Sequence, residues 1–99
     1  MAITLIKHKG LRDLFETGKT KKIGTSYHKK LLDLLDMLNA AFHIKDLRGV
    51  SNFHALKGNR KGEFFMHVNG PKIITFGFDD GEVTNVNFEN DLKQRKRKR

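Results

Sequence analysis

Two runs of alternating polarity, one just before and one just after a short glycine-flanked loop, constrain this chain most. Both lie within Ser51–Gly70. In the second, Phe64, Met66 and Val68 alternate with Phe65, His67 and Asn69. A period of two sends successive side chains to opposite faces, so such a strand has an apolar face that another layer must cover. The intervening Lys57-Gly58-Asn59-Arg60-Lys61-Gly62 carries three cations around two glycines, the composition of a tight turn. A turn of this kind puts positive charge at the lip of a sheet, where a phosphate backbone can lie.

The covering layer is legible upstream. Tyr27, Leu31, Leu34, Leu35, Leu38 and Phe42 recur at helical spacing, with Lys29, Lys30, Asp33, Asp36 and Asn39 on the other faces. Full burial of each leucine contributes about 1.5–3 kcal/mol, so the core is expected to be built on this helix. Thr25 or Ser26 is its expected N-cap. Before it, Leu11, Leu14 and Phe15 predict a shorter helix over Lys9–Glu16, closed by Gly18 in a left-handed cap and followed by a basic loop, Lys19–Ile23. Ile3 and Leu5 alternate with Thr4 and Ile6 and predict a first strand at about residues 2–7. Ile44–Leu47 reads as a further helical turn and Gly49–Asn52 as a loop. Strands are expected at about Phe53–Leu56, Glu63–Asn69, Ile73–Phe78 and Glu82–Phe88, with Gly70-Pro71 and Asp79-Asp80-Gly81 as turns. Links this short join antiparallel neighbours. The expected class is α+β, two N-terminal helices packed on one face of an antiparallel sheet.

Composition narrows the function. A chain of 99 residues is one domain. Without cysteine it has no disulfide framework and no thiolate metal site, which fits a reducing cytoplasm. No apolar run spans a bilayer and no signal-peptide pattern opens the chain, so a cytoplasmic protein without a membrane partner is expected. Twenty Lys and Arg against 11 Asp and Glu give a net charge of +9, which points to an anionic partner. Six of those cations fall in the last seven residues, Lys93 to Arg99, and the remainder carries about +3. We therefore expect a folded unit over 1–92 and a basic tail over 93–99, whose Lys93 and Arg95 add affinity for nucleic acid. Eight Phe without Trp suggest a small aromatic core rather than a base-stacking surface.

Three segments resemble one family. His54-Ala55-Leu56-Lys57-Gly58-Asn59-Arg60-Lys61-Gly62 is similar to the "H-P-L-K-G-D-R-K-G" segment of the HigB toxins, a branch of the RelE/ParE toxin superfamily. Ile6-Lys7-His8-Lys9-Gly10-Leu11-Arg12-Asp13-Leu14-Phe15-Glu16-Thr17-Gly18 resembles the family's "F-K-H-K-G-L-K-x-L-F-E-x-G", and Val68-Asn69-Gly70 with Ile74-Thr75-Phe76 its "V-N-x-x-W-R-I-T-F". Each is short, but the three stand in register over roughly residues 3–90. The resemblance implies the RelE-like α+β fold. It also implies the toxin of a type II toxin–antitoxin pair, a ribosome-dependent mRNA endonuclease that inhibits translation, and a HigA-like helix-turn-helix antitoxin as partner.

Metal-independent RNA cleavage uses the 2′-hydroxyl as nucleophile. It needs a base for that proton, an acid for the leaving 5′-oxygen and cations for the phosphate. His54 is the natural proton-transfer group, because imidazole titrates near neutrality. Lys57 reaches the scissile phosphate and Arg60 offers a planar fork to its oxygens. Lys22, Lys61 and Lys72 are expected to hold flanking phosphates. His8, His28, His43 and His67 show no metal-ligand spacing and read as surface or packing residues, and no cofactor is expected.

The likeness breaks near the end. The family closes its last strand with "Y-E-D-Y-H", which contributes an acid, a tyrosine and a histidine to its active site. Here the stretch is Phe88-Glu89-Asn90-Asp91-Leu92. Glu89 matches, Asn90 replaces the acid, Asp91 the tyrosine and Leu92 the histidine, so Asn90 and Asp91 are the site candidates at this end. The family's arginine before "I-T-F" is Ile73, and Lys72 beside it points to the opposite strand face. Two further readings follow from the superfamily: a homologue that binds antitoxin or ribosome without cleaving RNA, and a ParE-like gyrase inhibitor.

Overall fold

A computed structural model describes residues 2–90 of the chain. The element order is β1 (Ala2–Ile3), α1 (Lys9–Thr17), α2 (His28–Ala40), β2 (His54–Ala55), β3 (Glu63–Asn69), β4 (Lys72–Asp79) and β5 (Glu82–Asn90). Single 3-10 turns occupy Thr25–Tyr27, Ile44–Leu47, Val50–Asn52 and Gly58–Arg60. The five strands form one sheet in the order β1-β5-β4-β3-β2. β2 to β5 are antiparallel neighbours, as their short links require, but β1 runs parallel to β5.

Both helices pack on one face. Leu11 and Leu14 of α1 and Leu31, Leu34, Leu35 and Leu38 of α2 form a single cluster with Met66, Ile74, Phe76, Val83 and Val86 of the sheet. Gly18 ends α1 at φ 82°, a left-handed conformation in which its N–H donates to the Leu14 carbonyl. At the other end of α1 the cap is His8, whose Nδ1 accepts the Leu11 N–H at 3.2 Å.

Several details differ from the sequence reading. Thr25 and Ser26 lie inside a 3-10 turn, α2 starts only at His28, and no side chain caps it. Helix α2 ends at Ala40, so Phe42 leaves the leucine stripe and is 84% exposed. The first strand is only two residues long, followed by one isolated bridge from Ile6 to Val86. Its apolar phase is also reversed, because Ile6 is buried and Leu5 is half exposed. Val86 donates its N–H to the Leu5 carbonyl, and Lys7 donates to the Val86 carbonyl, so this segment follows β5 rather than its own alternation.

One irregularity positions everything on the far side of the sheet. Thr75 pairs with Asn87 but Gly77 pairs with Thr84, so Asn85 and Val86 together oppose Phe76. This is a β-bulge, and Asn85 takes the left-handed conformation it needs, at φ 53°. The extra residue lets Val83 and Val86, three apart, both enter the core. It also turns Asn87 and Glu89 to the face away from the helices.

Candidate active site on the open face of the sheet

The strand pairing defines that face. Met66 and Val68 enter the core, so Phe65 and His67 between and beside them point the other way. His54 pairs with Phe65, Phe65 with Thr75, and Thr75 with Asn87, which makes one row across the sheet. His67, Ile73 and Glu89 make the next row. Ile73 and Thr75 floor the face, at 3% and 1% exposure, and neither helix packs there.

Arg60 reaches over this floor from the turn before β3. Its guanidinium meets Glu89 through Nη1–Oε1 at 2.7 Å and Nη2–Oε2 at 2.8 Å, a bidentate fork. The same group donates to Glu63 Oε1 from Nε at 3.2 Å and Nη2 at 2.6 Å. Glu89 is closed from below by Thr75 Oγ1, which donates at 2.6 Å, and from the side by Asn87 Nδ2 at 3.4 Å. These bonds satisfy the one buried polar side chain of the sheet, Thr75. They also hold the Glu89 carboxyl below the usual carboxylate range: the Arg60 hydrogen bonds contribute most, and they outweigh the desolvation that opposes them. Arg60 is raised further above its already high value, chiefly by the bond to Glu89.

The sequence-derived candidates separate accordingly. His54 is exposed on β2, its ring tilted against Phe65 at 5.7 Å between centroids. Lys57 and Lys61 flank the Gly58–Arg60 turn, exposed, and neither lies within ion-pair distance of a carboxylate among the described residues. His54 lies on the edge strand and the two lysines at the turn that joins it to β3. Arg60 does not offer a free fork to phosphate, because two carboxylates already occupy it. Lys72 lies on the helix side, with Nζ 5.3 Å from the centre of the Phe88 ring. Its charge there, after burial itself, lowers the pKa of His8. Asn90 pairs with Lys72 and so shares that side of β5, opposite to Glu89. Lys22 sits beside α1 in an ion pair with Asp13 at 3.6 Å. Asp91, Lys93 and Arg95 lie outside the described residues.

The Glu63–Arg60–Glu89–Thr75 network was not anticipated. Its signal in the sequence was the Arg60–Glu63 spacing; the contact to Glu89, 29 residues on, had none. Among the described residues no group of three or more His, Asp or Glu side chains is placed to hold a metal ion.

The two-layer α+β fold is shared with solved toxin structures. The YafQ point mutant from E. coli superposes with a TM-score of 0.59 at 18% identity, over 95% of this chain and 98% of that one. The YoeB–YefM complex from Staphylococcus aureus gives 0.56 at 16% identity, over 90% and 99%. The branch is fixed by sequence. Residues 4–91 match the family described as the RelE-like toxin of the type II toxin–antitoxin system HigB. "Endoribonuclease HigB" of Proteus vulgaris is 35% identical over 88 residues, 88% of this chain and 96% of that protein. The chain belongs to the HigB-like toxins, and its partner is therefore an antitoxin.

Proposed function

We propose that this toxin is an endoribonuclease that cuts mRNA on the ribosome without a metal ion, and that a HigA-like helix-turn-helix protein neutralises it. One observation carries the reading: His54 stands exposed on the edge strand β2 beside the half-buried ring of Phe65, and Lys57 and Lys61 are exposed around the turn that follows, with no carboxylate partner among the described residues. The relative named as an endoribonuclease supports it over most of the chain.

In this mechanism His54 moves a proton at the scissile phosphate, and the Lys57 ammonium balances the charge that builds on the phosphoryl oxygens. Lys61 holds a neighbouring phosphate. Arg60 touches no substrate. It fixes the turn that carries both lysines to β3 and β5, and so acts as a positioning residue. The cytoplasm is where such a substrate is met, and no helix among the described residues is long and apolar enough to cross a membrane.

Expression of the full chain with mapping of transcript 5′ ends tests the proposal. Discrete new ends within translated messages are expected, absent in His54→Ala. Growth arrest with messages left intact would sink it. Lys57→Ala and Lys61→Ala are expected to weaken ribosome or RNA binding and to reduce its salt dependence by roughly one counterion each.

A further inference from the structure

Cleavage through the 2′-hydroxyl moves two protons, and His54 accounts for one. The open face contains few groups able to move the other. Glu89 accepts from Arg60, Thr75 and Asn87 on Oε2 and from Arg60 on Oε1, and this pairing holds it in the ionised form. Glu63 accepts two Arg60 bonds on Oε1. Thr75 and Asn87 have no proton to exchange near neutrality, and Asn90 lies on the other side of β5. His67 remains. It is half buried on β3, its alternation with Met66 and Val68 turns it to the open face, and no hydrogen bond among the described residues engages its ring.

Its place relative to His54 is set by register. His54 lies directly across from Phe65, and His67 is two residues along from Phe65 on the same face. Diagonal neighbours of this kind lie roughly 7–8 Å apart, with their Cβ atoms somewhat closer. Two imidazoles on that diagonal bracket a group lying over Phe65, whose ring is a surface for a base to stack on.

We propose that His67 is the second proton-transfer group, paired with His54 across Phe65. One imidazole, neutral, takes the proton of the 2′-hydroxyl as that oxygen attacks phosphorus. The other, protonated, gives its proton to the 5′-oxygen as the P–O5′ bond breaks. The products are a 2′,3′-cyclic phosphate and a 5′-hydroxyl, and water restores both rings. The pair supplies from β2 and β3 a second histidine, where Leu92 replaces the one at the family's C-terminus. This rests on the endoribonuclease reading above.

The charged groups facing His67 are His54 from β2, Glu63 from β3, Arg60 from the turn and Glu89 from β5, whereas β4 presents only Ile73 and Thr75. Glu63 and Glu89 are tied to Arg60, so the two imidazoles are left to set the pH dependence. The parent chain should show a bell-shaped rate profile, one limb from each ring.

The test uses the full chain, ribosomes and a message whose mapped cut site carries either the normal 5′-oxygen or a bridging 5′-sulfur, which leaves without protonation. His54→Gln and His67→Gln are each expected to lose about a hundredfold or more on the oxygen substrate. Each should also lose one limb of the pH profile. The sulfur substrate should restore one of the two variants and not the other, which also names the acid. A parent that cuts while His67→Gln cuts equally well would overturn the pairing and leave the endoribonuclease reading standing. Loss in His67→Gln with both limbs kept, or with sulfur restoring neither variant or both, would also overturn it. A parent that never cuts would sink both. Matched denaturation midpoints for parent and variants show that the loss is chemical and not a failure to fold.

Discussion

On the helix side of the sheet, Met66, Ile74, Phe76, Val83 and Val86 are each fully buried against leucines of α1 and α2. On the other side the same strands present His67, Ile73, Thr75, Asn87 and Glu89, and one arginine from a turn ties Glu89 to Glu63. The first face is held by shape and area, which many apolar side chains satisfy. The second is held by directed bonds, each of which needs one donor and one acceptor. Loss of volume should therefore dominate on one side and loss of a partner on the other.

Phe76→Ala breaks the covered face. It is expected to cost about 3–5 kcal/mol in chemical denaturation, because the void is enclosed by both layers. A cost below about 2 kcal/mol would mean that this face repacks freely. On the open face, Arg60→Ala leaves Glu63 and Glu89 without their cation. With the Arg60 side chain 39% exposed, we expect about 1–2 kcal/mol rather than the larger penalty of a buried pair. Arg60→Lys should recover only part of that, since an ammonium cannot make the bidentate fork. At the bulge that joins the two faces, Asn85→Val is expected to cost about 1–2 kcal/mol, the penalty for a side chain forced into the left-handed region. Phe42→Ser should change stability by less than ~0.5 kcal/mol, because the residue touches neither face.

Acid sharpens the contrast. Glu89 titrates lower in the folded protein than in the unfolded chain. Its stabilisation is therefore complete above the ordinary carboxylate range and is lost as pH falls through the depressed folded value. Glu89→Gln should flatten that acid limb of the stability profile, and Phe76→Ala should leave its slope intact. His8 adds a second limb nearer neutrality. Burial, and then the charge of Lys72, lower its pKa in the fold. The cap it provides to α1 is therefore lost progressively as pH drops below the ordinary imidazole value. His8→Asn, which caps without titrating, should remove that limb.

The helices and the four later strands were legible because each repeats a local period. The leucine stripe of α2 and the Phe64-Met66-Val68 alternation state their buried sides outright. Phe42 was misjudged because a stripe marks where a helix is able to continue, whereas the backbone ends it at Ala40. The first strand was misjudged because the sense and phase of its pairing belong to β5. Among the candidate site residues, His54, Lys57 and Lys61 could be named together because they are close in sequence, on β2 and the turn after it. Arg60 looked like a phosphate ligand because nothing in its neighbourhood announces Glu89. His67 looked inert because its relation to His54 exists only across two paired strands.

The sequence by itself settled the layers, the covered face, the cationic turn and the kinship with the HigB-like toxins. These depend on periods and motifs that span a few residues each. Which way Glu89 points, what Arg60 grips and which second imidazole shares a face with His54 were decided by tertiary structure. A single bulged residue at Asn85 inverts the phase of the rest of β5. Strand register, which no local pattern encodes, then determines which side chains meet.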